Sequence, residues 1–283
     1  MIMRSCGTSP AASAVEDKKD ESVPVEVVHF NPLRRQPGLL GRFRPKRPLN
    51  NFGDLIGPVI VGEIVKRRRL EELSRPTRLL AVGSIMRMSR PGDTVWGAGV
   101  NGKSMDAGAA PNIDVRAVRG PRTAKLLREL GTSVPDVYGD PALLWPHFWP
   151  LESYRQGVPD ESLRDMSVVP NLYDRDRMTG PHLIDPLQDP FAAVREIALS
   201  NFVCGSSLHG IVIAEAFGIP ARLIQPGTEP DFKYDDYYRG TGRSTFTPAK
   251  DVEEAIRMGG ERPARVDSAA LLEAFPDDLW TSS

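Results

Sequence analysis

Asn201-Phe202-Val203-Cys204-Gly205-Ser206-Ser207-Leu208-His209-Gly210-Ile211-Val212-Ile213-Ala214-Glu215-Ala216-Phe217-Gly218 is the stretch that decides how the rest of the chain is read. Residues 201–204 predict a buried strand and residues 206–217 a helix, with Gly218 and Pro220 as its stop. Residues 221–224 predict the next strand, so the whole reads as one strand-helix-strand unit of a parallel α/β layer. At its first turn Gly205 permits close backbone approach, and the helix begins with two serines. Unpaired N–H groups and the positive end of the helix dipole converge there, which suits an anion. His209 falls in the first helical turn and reaches the same place. An anion bound there favours the protonated imidazole, and a protonated imidazole suits a general acid. A plainer account fits the same residues: Ser206 or Ser207 is an N-cap and His209 is packed.

Outward from this unit the alternation continues. Residues 25–30, 79–82, 94–96, 114–118 and 134–138 predict strands, and residues 54–65 a helix. Asp54 is expected to cap that helix, and the run Lys66-Arg67-Arg68-Arg69 suits its negative carboxyl end. A second helix is predicted from Gly120-Pro121 to about Leu130, stopped by Gly131. The pattern restarts with short strands at 167–169 and 183–184 and a helix capped by Asp189 with Pro190 at its first position, running to Ala198. Residues 145–159, with three prolines and two tryptophans, read as a connection. The expected organisation is a polar, disordered tail over 1–22, an α/β domain over 23–150 and a second over 151–283, with the site in the cleft between them.

Composition narrows the class of partner. The 283 residues are 40% hydrophobic and 26% charged, ordinary for a globular protein. With 36 basic and 37 acidic side chains the net charge is −1, which gives no global reason to expect nucleic acid. No stretch has the length of a membrane span, and the first twenty residues lack the apolar core of a signal peptide. Cys6 and Cys204, far apart in sequence, predict no bridge and fit a reducing, cytoplasmic setting. One local bias stands out: residues 31–53 carry Arg34, Arg35, Arg42, Arg44, Lys46 and Arg47 and no acid. This segment is either a solvated basic loop or a lid that contacts an anionic ligand.

Other segments bear on chemistry more weakly. Arg119 at a strand end and Arg122 entering a helix offer charge at a second helix N-terminus, or else surface salt bridges. Asn51, Gly53 and Asp54 form a turn into a helix, and Asp140 after Gly139 is a cap or a cleft carboxylate. Residues 92–99 have the glycines of a ligand-approach loop without dinucleotide spacing. Asp174-Arg175-Asp176 looks like a metal–nucleotide triplet that also arises often by chance, and residues 233–238 read as an aromatic and acidic loop for a sugar or for packing. The four histidines and two cysteines show no metal-ligand spacing, so no metal site is expected.

In order along the chain, these segments resemble the polysaccharide pyruvyltransferase family, in the version that decorates exopolysaccharides of the succinoglycan type. The matching pieces are Asn51-Phe52-Gly53-Asp54, Gly83-Ser84-Ile85, the 92–99 loop and Val118-Arg119-Gly120-Pro121-Arg122-Thr123. To these are added Gly139-Asp140-Pro141 and Ser206-Ser207-Leu208-His209-Gly210 with Ala216-Phe217-Gly218-Ile219-Pro220. The resemblance spans roughly residues 50–240. It implies two Rossmann-like parallel-sheet domains with a cleft, as in GT-B glycosyltransferases. It implies phosphoenolpyruvate as donor substrate with no cofactor, and a glycan or lipid-linked oligosaccharide as acceptor, reached at the inner membrane face. Carried over, His209 is the general acid, Arg119 with Arg122 holds phosphate or carboxylate, and Ser206, Ser207 and the adjoining backbone complete the anion site. Asp54 or Asp140 is the expected base, with Asn51 and Gly53 lining the substrate site. Some members place an arginine where Ser207 stands, so an arginine of the 34–47 segment is expected to replace it. The competing readings are a nucleotide-sugar glycosyltransferase of the same architecture and a glycan-binding protein without chemistry.

Overall fold

The computed structural model describes residues 24–35, 43–73, 75–103 and 110–282. The expected tail over 1–22, Cys6 and Arg42 lie outside them. The fold is mixed α/β. A four-stranded, wholly parallel sheet is built from β1 (Glu26–Val28), β5 (Arg78–Leu80), β6 (Thr94–Trp96) and β7 (Asp114–Ala117), in that order. A second parallel sheet has the order β10 (Ala221–Leu223), β9 (Val203–Gly205), β8 (Ser167–Val168). Between β1 and β5 come a two-stranded ribbon, β2 (Leu33–Arg34) with β3 (Arg47–Pro48), then α1 (Phe52–Arg68) and β4 (Leu70–Glu72).

Several elements fall where the sequence puts them. β6 has its expected bounds, α2 (Pro121–Glu129) starts at its proline, and α5 (Pro190–Ala198) is capped by the Asp189 carboxylate on the N–H groups of Phe191 and Ala192. The expected strands at 134–138 and 183–184 shrink to single bridges, Val118 with Tyr138 and Val168 with Leu183. α1 begins two residues earlier than expected. Asn51, not Asp54, is its N-cap residue, and Phe52 N–H is held from outside by the Pro186 carbonyl at 2.8 Å. Asp54 sits inside the first turn, accepting from Asn51 Nδ2 at 2.8 Å. The α1 face Phe52, Ile56, Ile60 and Ile64 recurs every four residues, one side of a helix, and is fully buried.

That face belongs to the same hydrophobic cluster as Ile211, Val212 and Ile213 of α6 (Leu208–Ala216), which α1 packs against, and the cluster joins both sheets. Residues 145–159 contain α3 (Trp145–Phe148) and α4 (Leu151–Arg155). Trp145 is buried against Trp149 and Phe191, and Arg155 donates to the Ala198 and Ser200 carbonyls. Beyond β10 lie α7 (Phe232–Gly240), α8 (Val252–Met258), α9 (Ser268–Glu273) and β11 (Trp280–Ser282). The chain then turns back: α7 packs on α2, and β11 pairs antiparallel with β4, Trp280 opposite Glu72. The segment read as an aromatic and acidic loop is therefore a helix. Its Tyr234, Tyr237 and Tyr238 are buried, so they pack the core instead of presenting rings to a sugar.

Candidate active site

Three separated segments meet at one imidazole. His209 is the second residue of α6, whose N-cap Ser207 accepts from Gly210 N–H at 3.2 Å. The ring lies against the first turn of α1, where a Cβ on residue 53 would overlap His209 Nδ1; only glycine leaves that space. On the other side His209 Nε2 stands 3.6 Å from Asp140 Oδ2. Both atoms are buried and neither has a hydrogen-bond partner, so a closure of a few tenths of an ångström would pair them. The other oxygen of Asp140 is already fixed, accepting from Ala142 N–H at 3.0 Å. Asp140 is thus both the expected cap and a carboxylate aimed at the histidine. It stands behind the ring and is fully buried, so it is placed to orient His209 and not to touch a sugar.

His209, Ser207, Asn51 and Asp54 line one cavity of about 220 Å³. Burial pushes the Asp54 carboxyl above its ordinary value, with His209, the Asn51 hydrogen bond and Lys233 pulling it back. Three cations share the cavity, none singled out as a ligand by the sequence: Arg87, Lys103 and Lys233. Arg87 comes from the short turn Met86–Met88 after β5, is exposed, and has no acidic partner among the described residues. Lys103 and Lys233 bracket Glu229 at 2.7 and 2.8 Å. Burial raises the Glu229 carboxyl, but the two lysines outweigh it and hold the group below the usual carboxylate range. Burial lowers the Lys233 ammonium, and Glu229 resists that. No local pattern could have revealed this set, because it is assembled from a turn, a loop and α7.

The remaining expected site residues are placed elsewhere. Ser206 is fully buried with its hydroxyl turned to the chain: it accepts from Asn171 N–H at 3.0 Å and contacts Met178 Sδ at 3.5 Å. Arg119 is fully buried behind the cavity wall and bound to Asp236 at 3.1 Å, the Val100 carbonyl at 2.8 Å and Ser84 Oγ at 2.7 Å. Its guanidinium fills the space over Gly99, so the close approach in the 92–99 loop is made by an internal arginine. Ser84, which lines the cavity, links Arg119 to it by a hydrogen bond, and the Arg119 charge also helps burial to lower the Lys233 ammonium. Arg122 pairs with Asp235 at 2.9 Å and stacks on Phe232, away from the cavity. No described residue from 34 to 47 lines the cavity, so the cations beside Ser207 come from other elements.

Asp174 is buried and accepts from Gly227 N–H, and among the described residues no three His, Cys, Asp or Glu side chains cluster as metal ligands. Cys204 is a buried free thiol pushed up to about 12, an inert core residue. No helix among the described residues is long and apolar enough to cross a membrane.

The sequence pattern described as Polysaccharide pyruvyl transferase matches residues 78–227, from β5 past β10. The chain belongs to that family and is an enzyme of the transferase class. Among characterised proteins it is similar to the succinoglycan biosynthesis protein ExoV of Rhizobium meliloti (strain 1021), 28% identical over 223 residues. That alignment covers 74% of this chain and 68% of the relative. The resemblance drawn from the motifs is thereby borne out, although Asn51-Phe52-Gly53-Asp54 precedes the matched span. Membership does not favour the glycosyltransferase reading.

Proposed function

We propose that the enzyme transfers the pyruvyl group of phosphoenolpyruvate to two hydroxyls of one sugar in exopolysaccharide synthesis, forming a cyclic ketal and releasing phosphate. The observation that carries this reading is the shared cavity of His209, Asp54, Arg87, Lys103 and Lys233. A donor with a phosphate and a carboxylate needs cations, the enol carbon needs a proton, and the attacking hydroxyl must lose one.

In the proposed sequence His209 gives a proton to the methylene carbon, which leaves positive charge on the adjacent carbon. A sugar hydroxyl attacks that carbon and its proton passes to Asp54, whose burial makes it a better proton acceptor than an exposed aspartate. The C–O bond to phosphate breaks with its electron pair on the phosphate, which takes the proton of a second hydroxyl of the same sugar as that hydroxyl closes the ring. Proton exchange with water returns Asp54 and His209 to their starting states. Asp140 holds the His209 ring, while Arg87 and the one positive charge that Lys103 and Lys233 keep beyond Glu229 attract the donor's anionic groups. The arrangement of the two parallel sheets in the manner of GT-B enzymes, with division near residue 150, belongs to the same proposal, as does an acceptor that is a growing or lipid-carried glycan. Incubating the enzyme with phosphoenolpyruvate and an oligosaccharide acceptor should release inorganic phosphate and add one pyruvyl ketal to the glycan by mass spectrometry. Phosphate release absent here, but present with an authentic pyruvyltransferase on the same acceptor, would refute the donor assignment.

A further inference from the structure

The β2–β3 ribbon stands at the rim of the cavity. Phe30, just before β2, and Asn51, just after β3, both line it. The base of the ribbon is pinned by Asn31, which donates to Asn50 Oδ1 at 3.0 Å and accepts from Asn50 N–H at 2.9 Å. What the ribbon exposes is unusual for this molecule. Leu33 is 62% exposed and Phe43 73%. Around them Arg34, Arg35, Arg44, Lys46 and Arg47 are all exposed, and none has an acidic partner among the described residues. Some arginines elsewhere are neutralised, as Arg78 is by Glu26 and Asp93 and Arg116 by Asp114 and Asp278. Arg34 and Arg47 are direct cross-strand partners, an arrangement that like-charge repulsion disfavours.

Edge protection accounts for part of this: charge and Pro48 deter a two-stranded ribbon from pairing with another chain. It does not account for a leucine and a phenylalanine with most of their surface exposed among those charges. A soluble polyanion would satisfy the cations and leave both apolar side chains exposed. An anionic bilayer satisfies both, with headgroup charge for the arginines and lysine and the interfacial zone for Leu33 and Phe43. We infer that the ribbon docks the enzyme on an anionic phospholipid surface, holding the cavity rim beside the headgroups. The inference does not depend on the donor assignment, because its test reads membrane binding and not turnover.

The full chain is sedimented with vesicles of phosphatidylcholine alone and with vesicles containing added phosphatidylglycerol. Binding is expected to the anionic vesicles only, and to weaken as salt rises. Each basic residue adds roughly fivefold to partitioning, so R34E/R47E is expected to weaken binding by about twentyfold or more. R35E/K46E serves as an independent pair should the first variant lose its wild-type melting curve. L33S/F43S is expected to weaken vesicle binding while leaving retention on heparin, a soluble polyanion, unchanged. Wild-type protein that ignores anionic vesicles, or binds neutral ones equally, overturns the inference. So does L33S/F43S binding vesicles as well as wild type, which reassigns the surface to a soluble polyanion such as nucleic acid.

Discussion

The turn from β9 into α6 and the turn from β7 into α2 look alike in sequence. Each is a short strand, a glycine and a helix with polar or basic residues at its start, and each predicts an anion site. In the molecule they differ in who supplies the anion. At α2 the site is filled from within: Asp236 of α7 accepts from the N–H groups of Arg122 and Thr123 at 3.0 and 2.9 Å, from Thr123 Oγ1 at 2.7 Å, and from Arg119 at 3.1 Å. At α6 the Ser207 hydroxyl caps one N–H, and His209 is left facing a cavity lined by Arg87 and by Lys103 and Lys233, whose shared partner Glu229 leaves one positive charge over. The same local physics therefore makes a structural lock in one place and an open site in the other. The lesson is that a helix N-terminus announces an anion, and only the packing around it says whether a carboxylate of the chain already occupies it.

The two corners should part company under mutation. The largest effect is expected from His209→Ala, which should lower turnover by about 10²–10⁴-fold while the urea unfolding curve stays near wild type. Asp236→Ala should do the reverse in kind, costing about 3–5 kcal/mol of stability because Arg119 is left buried and uncompensated. Urea midpoints and initial rates on both variants read the contrast directly. Equal loss of stability in both would erase it. Gly53→Ala comes next: although alanine favours a helix, the added methyl displaces the His209 ring, and activity should fall roughly 10²-fold with little change in melting temperature. An unaffected rate would mean the ring position is not critical.

The smallest effect is on stability, from Asp54→Asn. Burial raises the Asp54 pKa, so the folded state disfavours the ionised form. Below its ordinary value of 3.8 both folded and unfolded states hold the proton, and the penalty is absent. It grows as pH rises through that value and levels off above the folded-state pKa. The asparagine variant should therefore melt higher than wild type at neutral pH, with the gap closing toward about pH 3, while losing turnover. A gap that is constant with pH would mean the carboxylate is not strained by burial.

Much of the frame was legible because its signals are local. The Asp189 cap, the proline at the start of α2 and the Gly218–Pro220 stop of α6 each act within one turn, and β6 is a short run of strand formers. From sequence alone the α7 segment reads as a loop, because its lysine, acids and tyrosines carry no clean apolar period. It is helical because Tyr234 and Tyr237 bury into the core and Asp236 locks onto α2, a tertiary gain that overrides weak propensity. The site was half legible for the same reason. His209, Asp54 and Asn51 announce themselves beside helix starts, whereas Arg87, Lys103 and Lys233 gain meaning only when three elements converge. Arg119 reads as a ligand contact from sequence because its partner Asp236 lies 117 residues further along.

That separation has a consequence for how the chain is made. Arg119 leaves the ribosome as a charge with no counter-ion, and at typical elongation rates on the order of ten seconds pass before Asp236 follows. The strand that completes the pair with β4, Trp280–Ser282, arrives later still. The strands of the first sheet are therefore translated long before Asp236 and β11 follow, and until then Arg119 is uncompensated and β4 has no partner strand. Nascent chains halted before residue 236 are expected to recruit a chaperone more than chains halted after it.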